Sequence, residues 1–134
     1  MDNILIDLIK LGCSCDMAYK HSACIIYNGD IVSAGVNFTI KDFSIHAERS
    51  AYFNMPKKFR NKENLDILVI RINKSKELLY SKPCKSCIEF LKKKNIRNIY
   101  YSGNDNKIIK ENTKNISNNH ISYGKRLKSE KSLC

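Results

Sequence analysis

The stretch "LDILVIRI" at residues 65–72 constrains the fold more than any other part of the chain. It is apolar almost throughout and rich in β-branched residues, a pattern typical of a strand buried in the centre of a sheet. A chain of 134 residues can bury roughly two-thirds of its unfolded surface in one core. We therefore expect a single domain over residues 1–134, built around this strand.

The remaining elements follow from apolar spacing and turn residues. Helices are predicted at 3–19, 46–55 and 84–95, and further strands at 22–27, 31–38, 96–102 and 107–112. The stretch 73–82 is expected to form a hairpin-like excursion, and the polar tail from about residue 113 has no predicted structure. This order indicates an α/β fold, a three-layer α/β/α sandwich with one mixed sheet of about five strands. The turn "GNDN" is too short for a parallel crossover, so the last two strands are expected to form an antiparallel hairpin.

The composition limits the cellular compartments and the classes of partner that we expect for this chain. The net charge is +11, but Lys, Asn and Ile dominate the chain, as A- and T-rich codons would produce, so charge alone is weak evidence for a nucleic-acid partner. The chain has no apolar run near the ~20 residues that cross a bilayer, and its first residues carry acids where a signal peptide carries positive charge. We expect a cytoplasmic protein with no membrane partner, whose paired cysteines serve metal binding or catalysis.

Two cysteines three residues apart, Cys84 and Cys87, follow Pro83 at the start of a predicted helix. Their thiolates can face one ion, and the helix N-terminus favours the anionic form. A cysteine pair alone is ambiguous, because redox motifs and four-ligand structural zinc sites also contain it. Cys13 and Cys15 have the wrong spacing for such a site and are interpreted as inert thiols.

His46 supplies a third candidate ligand, also at the expected start of a helix, with Glu48 two residues further along. One histidine and two cysteines leave a fourth tetrahedral position for water, the layout of a catalytic zinc site. A carboxylate beside such a water can take its proton and pass it on, and Glu48 is the candidate for that role.

"HAE" at 46–48 with "PCKSC" at 83–87 resembles the zinc-dependent cytidine deaminase-like superfamily, and "SACIIYNGDIVSAGVN" at 22–37 resembles the first two strands of that fold. The resemblance implies Zn²⁺ bound by His46, Cys84 and Cys87. Glu48 would carry the proton from the zinc-bound water to the ring nitrogen and then to the departing ammonia. Asn37 would hold a sugar hydroxyl and, with Ala47, form the substrate-binding set.

The implied function is hydrolytic removal of the exocyclic amine from a cytosine-type base, nucleoside or nucleotide, in nucleotide metabolism, by a homo-oligomer. The metal histidine is similar to that of deoxycytidylate, tRNA adenosine and free-base deaminases, whereas the closing hairpin resembles the cytidine deaminases. The substrate therefore stays open. One alternative is editing of RNA or single-stranded DNA, although the sequence lacks a cluster of arginines and aromatics for it. Another is a non-catalytic zinc domain, against which Glu48 argues.

Overall fold

The computed structural model describes residues 2–12, 20–40 and 43–118. Three helices are present in these ranges: α1 (Asp2–Gly12), α2 (Ala47–Asn54) and α3 (Lys85–Lys93), with a 3₁₀ turn at Lys57–Phe59. The strands are β1 (Lys20–Tyr27), β2 (Asp30–Val36), β3 (Phe38–Ile40), β4 (Phe43–Ile45), β5 (Leu65–Ile72), β6 (Leu78–Leu79), β7 (Asn98–Ser102) and β8 (Ile108–Asn112).

The main sheet is mixed, with strand order β2-β1-β5-β7-β8, and β6 pairs with the end of β5. The predicted strand at 65–72 is β5, and it occupies the centre of the sheet. β5 pairs antiparallel with β1 and parallel with β7, with α3 as the crossover between the two parallel strands. β7 and β8 are antiparallel, which confirms the predicted closing hairpin.

An apolar cluster lies on each face of this sheet. Ile67 and Val69 of β5 pack with α2 and α3, whereas Leu68 and Ile70 belong to the cluster that α1 covers through Leu8. Because successive side chains of a strand point to opposite faces, one apolar run can fill both clusters. The predicted three-layer α/β/α sandwich is therefore confirmed.

The structure corrects the predicted end of one strand and adds a hairpin. β2 ends at Val36 rather than at 38, because the Asn37 side-chain oxygen accepts a hydrogen bond from the His21 backbone amide at 3.0 Å and interrupts the ladder. The next residues form a separate hairpin of β3 and β4 that the sequence did not predict. α1 is described to Gly12, so residues 13–19, with Cys13 and Cys15, lie outside the described residues.

The excursion at 73–82 is a hairpin, as predicted. The Asn73 side-chain oxygen accepts hydrogen bonds from the backbone amides of Ser75 and Glu77, at 2.9 and 3.0 Å, which closes the turn. β6 then pairs antiparallel with the end of β5. In the tail, Ile116 is buried in the core, and the residues from 119 onward lie outside the described part of the chain.

The two ends of the sheet differ. Since β5 and β7 are parallel, α3 begins at the end where β5 finishes and ends where β7 begins. At the latter end Asp66 accepts hydrogen bonds from Arg97 Nε and Nη2, at 3.1 and 2.9 Å, and from the Asn98 amide at 3.1 Å.

Among the helices of the described ranges, none combines the length and apolar character that a membrane crossing requires.

Candidate active site and metal centre

His46 is the residue immediately before α2 and follows β4 directly. Its backbone is extended, with φ −76° and ψ 154°, and its side chain does not cap the helix. The backbone carbonyl instead starts the helix by accepting a hydrogen bond from the Ser50 amide at 3.1 Å. The orientation of the imidazole is therefore set by the change of the backbone from strand to helix at His46, and not by a capping hydrogen bond from the side chain.

Cys84 has the same position relative to α3, with φ −69° and ψ 168°. Pro83 precedes it, where the missing amide and fixed φ of proline cost little. The Cys84 carbonyl accepts from the Ile88 amide at 3.0 Å, and Cys87 lies in the first turn of the helix. Both cysteines are buried, at 6% and 0% exposure.

The three predicted ligands come together. The His46 Nδ1 atom lies 3.8 Å from the Cys84 sulfur and 3.4 Å from the Cys87 sulfur, and all three candidate ligand atoms are within 4.8 Å of one another. A tetrahedral zinc ion, with bonds of about 2.3 Å to sulfur and about 2.0–2.1 Å to nitrogen, holds such atoms about 3.6 Å apart. Within the described residues, His46, Cys84 and Cys87 form the group of histidine, cysteine or acidic side chains that lies close enough together to hold a metal ion. The distances between their ligand atoms fit zinc.

Glu48 lies in the first turn of α2 and is 4% exposed. Burial raises the pKa of its carboxyl above the ordinary value; the charge of His46 opposes this shift and the charge of Cys84 adds to it. Burial lowers the pKa of His46, but its contact with Cys84 and the charge of Glu48 outweigh that effect, so the net shift is upward. The carboxyl, the imidazole and the two thiols thus form one electrostatically coupled group.

Asn37 and Ala47 lie on the two segments that flank β3 and β4. Asn37 follows β2 and is tied to β1 twice, because its side-chain oxygen accepts from the His21 amide and its own amide donates to the His21 carbonyl at 3.3 Å. Ala47 is the first residue of α2 and is completely buried. Ala47 is thus adjacent to the ligand set along the chain, and Asn37 is held at the start of β1.

Sequence reasoning missed the residues that hold the cysteine segment in place. The Ser81 hydroxyl donates to the Val69 carbonyl at 2.9 Å and accepts from the Ser102 amide at 2.8 Å. The Asn118 side chain donates to the Pro83 carbonyl at 3.0 Å. These bonds join segments 12 to 35 residues apart, so no local pattern could have revealed them.

Together, the mixed α/β sandwich and the one-histidine, two-cysteine set at two helix starts define a zinc-binding protein of the deaminase class. The chain belongs to the family described as "cytidine and deoxycytidylate deaminase zinc-binding region", whose sequence model matches residues 5–103. The cofactor of this family is zinc, and His46, Cys84 and Cys87 are positioned for a metal.

Solved structures show the same fold. The chain is similar to the deoxycytidylate (dCMP) deaminase of cyanophage S-TIM5, with 19% identity, a TM-score of 0.51, and coverage of 77% of this chain and 85% of that one. It is similar to a cytidine deaminase from Burkholderia pseudomallei, with 15% identity, a TM-score of 0.61, and coverage of 84% and 93%.

A third similar structure is the diaminohydroxyphosphoribosylaminopyrimidine deaminase/5-amino-6-(5-phosphoribosylamino)uracil reductase of Thermotoga maritima. The identity is 16% and the TM-score 0.57, and the match covers 75% of this chain and 28% of that one. Among curated protein sequences, none matches the chain. At these identities the structural likeness establishes the fold and not the substrate.

Proposed function

We propose that this protein is a zinc-dependent hydrolytic deaminase that removes the exocyclic amine from a cytosine-type base, nucleoside or nucleotide. The observation that carries the proposal is the convergence of His46, Cys84 and Cys87, with ligand atoms within 4.8 Å, beside the buried Glu48. In this proposal the first three residues hold the ion. When bound, zinc supplies a Lewis acid that brings the pKa of a water molecule towards neutrality.

Glu48 is the proposed general acid and base. Hydrolysis adds the oxygen of water to the ring carbon and breaks the bond between that carbon and the amine, which leaves as ammonia. Two protons must move, one to the ring nitrogen and one to the departing amine, and both come from the attacking water. A single carboxyl group that accepts and then donates can perform both transfers. The burial of Glu48, two residues after a ligand, supports this role, because it keeps the carboxyl close to the site and out of bulk water.

Asn37 and Ala47 are the proposed substrate-binding residues. The family resemblance implies these roles; Asn37 lies between β2 and β3, and Ala47 immediately follows His46. The hydrogen bonds between Asn37 and the backbone of β1 would hold its amide rigidly for contact with a sugar hydroxyl. Oligomer formation, expected from the family resemblance, is part of the proposal only on that ground.

The test is ammonia release by the zinc-loaded protein from a panel of cytosine, cytidine, deoxycytidine, their monophosphates, adenine compounds and short single-stranded oligonucleotides. We expect turnover of at least one free cytosine-type compound. Turnover confined to the oligonucleotides would replace this proposal with nucleic-acid editing. A zinc-loaded protein that released no ammonia from any compound would support the non-catalytic alternative.

A further inference from the structure

A second concave site lies at the end of the sheet where β5 and β7 begin, away from the cysteine segment. Its volume is about 840 Å³. Its walls come from the loop before β5, the end of α3, the segment between α3 and β7, and the end of β8 with the two residues that follow it. We call this site the basic concavity. It shares no residue with the metal centre, so the proposed deaminase chemistry does not account for it.

The basic concavity has a strong excess of positive charge. Five cationic residues line it against a single acid, Glu63; the five are Arg60, Lys62, Lys92, Arg97 and Lys114. Within the described part of the chain, only Arg97 of these five has a carboxylate ion-pair partner, Asp66. Like charges gathered in a concave wall reinforce one another's potential and attract an anion.

Buried polar atoms in the same wall point independently to a ligand. Thr113 is 2% exposed, and its hydroxyl has no hydrogen-bond partner among the described residues. The Arg60 Nε atom is also buried without a partner within those residues. Buried polar groups are nearly always paired, so the orphaned hydroxyl of a residue as buried as Thr113 requires an explanation. A bound anion that accepts hydrogen bonds would supply one.

The arginine is already fixed in position. The Arg60 guanidinium stacks at 5.6 Å from the centre of the Tyr52 ring, and its Nη2 donates to the Phe53 carbonyl at 3.4 Å. A planar guanidinium held in this way loses little conformational entropy when it binds a phosphate. The concavity is therefore preorganised at Arg60, and the three lysines that line it are exposed.

We propose that the basic concavity binds a small anion that carries two or more phosphate groups. Its volume lies within the range of about 300–1,000 Å³ that small-molecule sites occupy. A single-stranded nucleic acid would also meet the charge requirement, but such partners bind through aromatic side chains that stack on the bases. None of the described residues lining the concavity is aromatic. The observations therefore favour a compact phosphorylated ligand.

The experiment is calorimetric titration of inorganic tripolyphosphate into the full-length, zinc-loaded protein at a fixed, near-physiological salt concentration. The double variant Lys62→Glu/Lys114→Glu reverses two exposed charges in the wall. Its matched control, Lys74→Glu/Lys107→Glu, makes the same change in net charge at exposed lysines outside the concavity. We expect binding by the native protein, a loss of about tenfold or more in the first variant, and less than about twofold in the control.

Thr113→Val replaces the orphaned hydroxyl by a methyl group of similar size and should also weaken binding severalfold. If the charge-reversal variant does not fold, the neutral Lys62→Gln/Lys114→Gln takes its place. Undetectable binding by the native protein would contradict the proposal. An equal loss of affinity in both double variants would also contradict it, because attraction by the net charge of the protein, or capture of zinc by tripolyphosphate, would affect both variants equally. An oligonucleotide that binds more tightly than tripolyphosphate, and loses affinity in the wall variant alone, would overturn the small-ligand assignment.

Discussion

His46 and Cys84 occupy equivalent positions, each with an extended backbone at the residue before a helix. Neither side chain caps its helix. The imidazole and the thiol are instead in contact with each other, 3.8 Å apart. A residue in this position is held by the strand or loop before it and by the helix after it. The segment before Cys84 is supported further by the hydrogen bonds of Ser81 and Asn118. This explains why a short motif at each helix start is sufficient to identify the candidate ligands from the sequence.

Cys24 shows what a cysteine outside the site does. It is completely buried in β1, and burial raises the pKa of its thiol to about 12. In the unfolded chain the thiol ionises near its ordinary pKa of about 8.5, so between these values the unfolded state loses the proton first. Ionisation of this thiol therefore has no effect on the free energy of unfolding below about pH 8 and lowers it progressively as the pH rises towards 12.

The corresponding measurement is the free energy of unfolding of the native protein and of Cys24→Ala at about pH 7.5 and about pH 10. Between these pH values the native protein should lose roughly 1–2 kcal/mol more than the variant. Equal losses in both proteins would mean that the thiol is not kept neutral in the folded state.

At the scale of elements, the packing of α2 on β2 depends on the absence of a side chain at one residue. A Cβ atom at Gly35 would lie 2.5 Å from the Ala51 amide nitrogen and 2.7 Å from the Ser50 carbonyl carbon. Both atoms belong to the backbone of α2, so the helix itself would have to move. Since α2 begins at the histidine ligand position, its displacement would change the metal centre as well.

Gly35→Ala should therefore lower the free energy of unfolding by about 1–3 kcal/mol and weaken zinc binding. The matched control is Gly103→Ala, whose added Cβ would first meet the flexible end of Ile109 at 3.3 Å. Denaturant unfolding and zinc titration of both variants test this. A Gly35→Ala protein with native stability and native zinc affinity would show that α2 can shift without cost.

The sequence predicted those elements whose causes are local. β5 was predicted at its observed bounds because its apolar run is continuous, and the closing hairpin because its turn is short. The β3–β4 hairpin was missed because the break before it depends on Asn37 binding the backbone of His21, sixteen residues away. The contrast between local and long-range causes also holds for the site. Motif spacing identified the candidate metal ligands but not Ser81 or Asn118, whose hydrogen-bond partners are distant in sequence.

At the scale of the whole molecule, the metal centre joins the start of α2 to the start of α3 on one face of the sheet. His46 is separated in sequence from Cys84 by 38 positions and from Cys87 by 41. A metal bound by all three therefore crosslinks distant parts of the chain, and its binding free energy adds to the stability of the fold. Removal of zinc should therefore loosen the packing of both helices on the sheet.

A strong chelator should lower the Tm of the native protein by more than about 5 °C. Cys84→Ser and Cys87→Ser should contain little zinc, begin with a lowered Tm, and show no further response to the chelator. Cys13→Ser/Cys15→Ser should retain its zinc and behave as the native protein does. Differential scanning fluorimetry with parallel metal analysis tests this, and full zinc occupancy in both of the first two variants would show that the ligand assignment is wrong.

The central claim is that a buried carboxyl beside the metal centre performs the proton transfers of a hydrolytic deaminase. The most direct measurement is the rate of ammonia release by Glu48→Gln, on whichever compound the native protein turns over, together with the zinc content of the variant. Glutamine retains the size of the side chain but cannot accept and return a proton, so we predict native zinc content and a rate lowered by about 10²–10⁴-fold or more. A zinc-loaded Glu48→Gln protein that deaminated the same compound at the native rate would contradict the account.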